Sequence, residues 1–171
     1  MCEAQTAPPL VKGLNYTFYK TTCPNLESII TKQLKSAFRN NSGLAAGLLR
    51  LHFHDCFVQG CDGSVLLDGS ASTPSEKASP PNLTLRPAAF AMINTLRNLI
   101  QKACGRVVSC ADITALAARD AVALVSFYTF FPQKSKSFMG SDPIRSKNHQ
   151  YHPLHICEHR VTLVLTSPFL I

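Results

Sequence analysis

Apolar positions recur with a helical period through most of the first 124 residues. In "PNLESIITKQLKSAFRN" (24–40), Leu26, Ile29, Ile30, Leu34, Ala37 and Phe38 share one face, and Pro24 suits a first helical position. "SGLAAGLLRLHFHDCF" (42–57) is apolar on most sides, which predicts a second, buried helix. The stretch 58–82, "VQGCDGSVLLDGSASTPSEKASPPN", is rich in Gly, Ser and Pro and reads as loop. "PAAFAMINTLRNLIQKACG" (87–105) predicts a third helix, with proline at its start and glycine past its end. "SCADITALAARDAVAL" (109–124) predicts a fourth, opened by a capping box of Ser109 and Asp112. Residues 1–23, with "APP" and a Cys-Pro step, read as irregular, and no internal repeat is visible.

The pattern changes after Leu124. Residues 125–171 have no sustained period, and their short apolar runs, "VSFYTFF" and "VTLVLTSPFLI", are candidate strands without obvious partners. The expected fold class is therefore mainly α, with one helical domain over 1–124 and an irregular tail over 125–171.

Composition sharpens this picture. The 171 residues are 46% hydrophobic and 16% charged, the balance of a globular chain. The net charge of +7 admits an acidic partner, but there is no dense Lys/Arg block and no basic run interleaved with aromatics. A nucleic-acid binder is kept only as a third class; failure to bind DNA at any salt concentration removes it. Seven cysteines, with sequons at Asn15, Asn40 and Asn82, favour an oxidising compartment. "MCEAQTAPPLVKG" contains neither a basic n-region nor an apolar h-region, so no signal peptide is expected in this chain. No run reaches the ~18 apolar residues of a membrane span.

Candidate chemistry concentrates in "RLHFHDCFVQGCDGS" (50–64). On a helix, Arg50 and His54 are i and i+4 and project side by side, with Phe53 on nearly the same face. A permanent cation beside an imidazole makes sense if His54 stays neutral as a base while Arg50 stabilises developing negative charge. The bland alternative is a pair that contacts only backbone or water. His52 and His54 form H-x-H, which diverges by about 200° on a helix. Zinc is therefore not expected, and His52 reads as a packed core histidine. Cys56 and Cys61 can close a short disulfide loop, with Gly60 easing the turn. Asp55, Asp62 and Ser64 around it are hard oxygen ligands that suit calcium, or else solvated side chains about a structural disulfide.

"LLRLHFHDCFVQGCDGSVLLD" closely resembles the distal haem segment of the secretory class III plant peroxidases. "SCADITALAARDAV" is similar to that family's next signature helix, and "FYKTTCPNLESI" to its N-terminal segment. The resemblance spans about residues 10–124 and implies the distal, N-terminal helical half of the haem-peroxidase fold. It implies that His54 is the distal acid/base, Arg50 the charge-stabilising arginine and Phe53 the aromatic wall of the haem pocket. It further implies that Asn82 accepts a hydrogen bond from the other ring nitrogen of His54, which makes the Asn82 sequon a poor glycan acceptor. Asp55, Val58, Gly60, Asp62 and Ser64 match calcium ligands, Val58 and Gly60 through their carbonyls. Glu76 matches the acid that holds a calcium-bound water. Cys23–Cys104 and Cys56–Cys61 match family disulfides, and Cys110 is expected to pair nearer a full-length C-terminus.

The implied function is reduction of hydrogen peroxide with one-electron oxidation of small phenolic donors, in hydrogen peroxide catabolism and the oxidative stress response. Haem b and calcium are the implied cofactors, and the protein is expected to be a secreted monomer with no nucleic-acid or membrane partner. The resemblance stops after Leu124. Family members continue with a second helical subdomain carrying the proximal haem histidine, a second calcium site and the last cysteines. No "GAHT"-like block follows here, and His149, His152, His155 and His159 lie in no matching motif. The alternative function is therefore a truncated, inactive fragment, stabilised by calcium and disulfides. Val125-Ser126 can be encoded GTA-AGT, like a splice donor, so 125–171 are expected to be translated intron or an erroneous gene model. A transcript reproducing this tail across a genuine exon junction refutes that expectation.

Overall fold

The computed structural model describes residues 15, 17–70 and 72–130. Four α-helices carry the fold: α1 (Leu26–Asn40), α2 (Gly43–Gln59), α3 (Pro87–Cys104) and α4 (Cys110–Phe130). Three single 3-10 turns, Ser64–Leu66, Glu76–Ala78 and Pro80–Asn82, punctuate the long α2–α3 connection. Among the described residues the fold is helical, without strands.

α4 is the central element, packed against α1, α2 and α3. Residues 111–118 are buried without interruption, and four of those eight are alanine. Small side chains on several faces let neighbouring helices approach on more than one side. α1 contributes Leu26, Ile30, Leu34 and Phe38, and α3 contributes Ala89, Ile93, Leu96 and Ile100. Both sets follow the 3.6-residue period that the sequence displays.

The buried polar groups of α4 are satisfied. Ser109 Oγ accepts from the Asp112 backbone N–H at 3.0 Å and donates to Asp112 Oδ2 at 2.7 Å, the expected capping box. The Tyr19 hydroxyl donates to the same carboxylate at 2.5 Å, tying the N-terminal segment to the start of α4. Burial first, and then the Asp112 carboxylate, push the Tyr19 phenol well above its ordinary value. Asp120 accepts from Thr31 Oγ1 of α1 at 2.5 Å and pairs with Arg119 at 2.7 Å.

Several boundaries differ from the sequence expectation. α1 begins at Leu26 rather than Pro24, because Leu26 N–H closes a tighter turn on Cys23 O at 3.0 Å first. α2 is not buried all round: Phe53 is 52% exposed, Phe57 75% and Val58 60%. An apolar pattern on every side does not say which sides are covered. α4 runs through Leu124 without a break to Phe130, so 125–130 are helix and not the candidate strand. Adding residues to an existing helix needs no new nucleus, whereas a strand needs a partner. The second candidate strand, the tail histidines and the expected partner of Cys110 lie outside the described residues.

Cys23–Cys104 and Cys56–Cys61 are both formed. The first joins the turn before α1 to the end of α3 across a sequence separation of 81. Closing so long a loop removes about 4 kcal/mol of unfolded-chain entropy. Replacing Cys23 and Cys104 together by serine is expected to lower the unfolding free energy by about that amount in urea titrations. A loss below about 1 kcal/mol contradicts a structural role for this bridge.

Candidate active site

α2 places Arg50 and His54 one turn apart, and Arg50 Nε donates to His54 Nε2 at 3.3 Å. On the other side of the ring, His54 Nδ1 lies 2.7 Å from Asn82 Oδ1. Asn82 is itself buried, and its Nδ2 donates to the Glu76 carbonyl at 2.8 Å. The proton positions follow from both ends of this chain. Guanidinium can only donate, so Nε2 is the bare nitrogen. Asn82 spends its amide on Glu76 O, so its oxygen must accept, and Nδ1 carries the hydrogen. The imidazole is thus a neutral base whose lone pair points to the Arg50 side.

Phe53 stands beside the imidazole, ring centroids 5.7 Å apart and nearly edge-on, and stacks on Phe57 at 4.2 Å. The two rings form an exposed apolar step next to the base. Arg50, Phe53 and His54 therefore open to one side of α2, while Leu48 and Leu51 fill the core on the other.

Below the histidine, α2 ends in the acidic loop. Asp55 is fully buried, and its Oδ2 accepts from Gly63 N–H at 3.0 Å. Its Oδ1 has no hydrogen-bond partner, and neither has the buried Oε2 of Glu76. Burial, with the nearby charges of Asp62 and Glu76, pushes the Asp55 carboxyl up to about 6, against partial relief from the N–H groups of Gly63 and Val65. Asp62 Oδ1 caps Ser64 N–H at 2.9 Å. Gly60 and Gly63 have φ of 109° and 79°, the left-handed region that glycine tolerates, and a Cβ at Gly63 would meet the Ala111 backbone at 3.2 Å. Each of these two buried carboxylate oxygens lacks a hydrogen-bond partner among the described residues, and each is of the hard type that calcium takes.

The loop is closed by Cys56–Cys61. His52 lies against Cys56 Sγ at 3.5 Å, and burial lowers its affinity for a proton. His52, Cys56 and Cys61 come close enough to share a metal ion, but both sulfurs are spent in the disulfide. His52 is thus the packed histidine expected from the sequence.

A protein-family model described as "Peroxidase" matches residues 30–135. The chain belongs to the peroxidase family. It is 64% identical over 116 residues to Peroxidase 12 of Arabidopsis thaliana, covering 68% of this chain and 32% of that protein. It is 62% identical over 116 residues to Cationic peroxidase SPC4 of Sorghum bicolor, covering 67% of this chain and 32% of the relative. Peroxidase 64 of Arabidopsis thaliana is 49% identical over 114 residues, 67% of this chain and 35% of that protein. The chain thus spans about a third of the length of the curated relatives it matches. The recognition of a plant class III peroxidase segment and the helical fold class both hold.

In this peroxidase segment, the residues named from the sequence fall into two linked groups. Arg50, Phe53, His54 and Asn82 meet at the exposed side of α2. Asp55 and Glu76 turn unpartnered buried oxygens away from solvent, and Asp62 and Ser64 sit on the same loop. The Glu76 carbonyl joins the groups through Asn82. Burial and the two amide contacts of Asn82 close its sequon to a glycan. Sequence reading missed Thr84, whose carbonyl and hydroxyl both receive Arg50. Its only signal was its place as the third residue of that same sequon. Among the described residues, no helix is long and apolar enough to cross a membrane.

Proposed function

We propose that this protein is a haem peroxidase that reduces hydrogen peroxide and oxidises small phenolic donors by one electron at a time. The observation that carries the reading is the Arg50–His54–Asn82–Glu76 chain, which prepares a neutral base beside a fixed cation. In this reading His54 Nε2 takes the proton from the near oxygen of hydrogen peroxide. It returns that proton to the far oxygen, which leaves as water when the O–O bond breaks. Arg50 stabilises the negative charge that develops on the departing oxygen. Asn82 holds the Nδ1–H tautomer, keeps the ring aimed and supports its basicity. Haem b, when bound, would supply the two electrons that the cleavage consumes; two donor molecules replace them singly, and with the donors' two protons the near oxygen is released as a second water. The exposed Phe53 edge and the Arg50 fork suit the distal face of such a flat group. The described residues offer this one face.

Calcium is the second proposed cofactor, with Asp55, Val58, Gly60, Asp62 and Ser64 as ligands and Glu76 holding a bound water. The unpartnered oxygens of Asp55 and Glu76 support it. The cation would hold the last turns of α2 through Asp55, one residue beyond His54. Secretion, a monomeric state and roles in hydrogen peroxide catabolism and oxidative stress belong to the same proposal. The formed disulfides are consistent with an oxidising compartment. The 125–171 boundary remains a proposal that transcript sequence tests. The comparisons lend nothing to the alternative of an inactive fragment.

The test is reconstitution of the purified chain with haem and calcium. Haem uptake, seen as a Soret band, with phenol oxidation that Arg50→Leu and His54→Leu abolish, supports the proposal. Turnover indifferent to both substitutions overturns it, and failure to take up haem favours the inactive alternative.

A further inference from the structure

The geometry points to Thr84 as the positioning residue that aims the Arg50 guanidinium, an inference that rests on the peroxidase reading above. Arg50 Nη1 donates to Thr84 O at 3.1 Å, and Nη2 donates to Thr84 Oγ1 at 2.6 Å. With Nε on His54, three of the five guanidinium N–H groups are engaged. Two remain for an oxidant bound beside His54.

Thr84 is exposed, yet its backbone is held at both ends. Asn82 and Leu85 are buried, and Leu85 N–H closes a turn on Asn82 O at 3.0 Å, with Leu83 and Thr84 at its corner. Arg86 then reaches across to the Gly43 carbonyl at the start of α2 at 3.4 Å. One short segment therefore fixes His54 through Asn82 and Arg50 through Thr84, and registers both against the helix that bears them. An exposed arginine otherwise samples many rotamers, and a rotamer selected in advance need not be found during the reaction. Both anchors on Thr84 are neutral acceptors. They hold the guanidinium without cancelling its charge, as a carboxylate there would. The threonine of the Asn82 sequon thus has a use although its asparagine is closed to a glycan.

The experiment compares Thr84→Val, which keeps shape and carbonyl but removes Oγ1, with Thr84→Ser, which keeps the hydroxyl. The Arg50 Nε–H signal in 15N NMR of the purified chain, assigned by its loss in Arg50→Lys, reports guanidinium order without any cofactor. Its exchange with water is expected to rise about tenfold in Thr84→Val and to stay near wild type in Thr84→Ser. In the chain reconstituted with haem and calcium, Thr84→Val is expected to slow the reaction with hydrogen peroxide about tenfold. The KM for a phenolic donor should not move, and Thr84→Ser should recover the rate. An unchanged Arg50 signal in Thr84→Val overturns the proposal. So does a loosened signal with an unchanged peroxide rate, or a serine variant that fails like valine. If the wild-type chain shows no peroxide turnover, the peroxidase reading itself fails, while the NMR comparison still decides whether Thr84 holds Arg50.

Discussion

His54→Leu is expected to slow the reaction of the reconstituted protein with hydrogen peroxide by roughly 10³-fold or more, while haem uptake persists. General acid–base catalysis contributes ~10²–10⁴ when one group both removes and returns a proton. Here the single Nε2 lone pair serves both steps, so leucine removes both at once. Arg50→Leu is expected to cost about 10²–10³-fold, the range for loss of one preorganised donor to developing charge. The double variant should lose much less than the product of the two. Once no base delivers the proton, the cation has less charge to stabilise. Stopped-flow measurement of peroxide consumption checks all three. A His54→Leu protein within tenfold of wild type contradicts the assigned role.

Calcium removal is expected to have the second large effect, and its pH dependence carries a sign. Burial in the fold raises the Asp55 carboxyl from an ordinary 3.8 to about 6. At low pH the group is protonated in both folded and unfolded chains and contributes no penalty. As pH rises above 3.8, the unfolded chain releases the proton while the fold retains it until about 6. The calcium-free protein therefore loses stability across that window, by on the order of 3 kcal/mol from this group. A bound cation requires the carboxylate, so calcium stabilisation must grow as pH rises through the same window. At a concentration a hundredfold above its Kd, calcium adds about 2.7 kcal/mol. Asp55→Asn, which has no proton to lose, is expected to flatten the pH dependence and abolish the calcium response. Melting curves of calcium-stripped and calcium-loaded protein between pH 4 and pH 7 check this. A calcium-induced rise in Tm that Asp55→Asn leaves intact contradicts the assignment.

Local periodicity made much of this legible. The α3 boundaries, the Ser109–Asp112 cap and the Arg50–His54 pairing all follow from spacing along one element. Asn82 was different. It lies 28 residues from His54 across a loop, a distance no helical period spans, and it was reached only through family resemblance. Thr84 escaped both routes, because its role depends on the turn that Leu85 closes on Asn82. The exposed Phe53–Phe57 step could not be read either. A helix apolar all round carries no internal record of which face its neighbours cover. The helical continuation past Leu124 was hidden by β-branched and aromatic residues that suit a strand equally well in isolation.

The base at His54 can be tested before any peroxide is added. Long-range 1H–15N spectra of the purified chain near neutral pH report which ring nitrogen carries the proton. The account predicts a neutral imidazole with hydrogen on Nδ1 and a bare Nε2, a state that Asn82→Leu disturbs. A neutral ring protonated at Nε2 instead would contradict it, for the nitrogen facing Arg50 would then have no lone pair to offer.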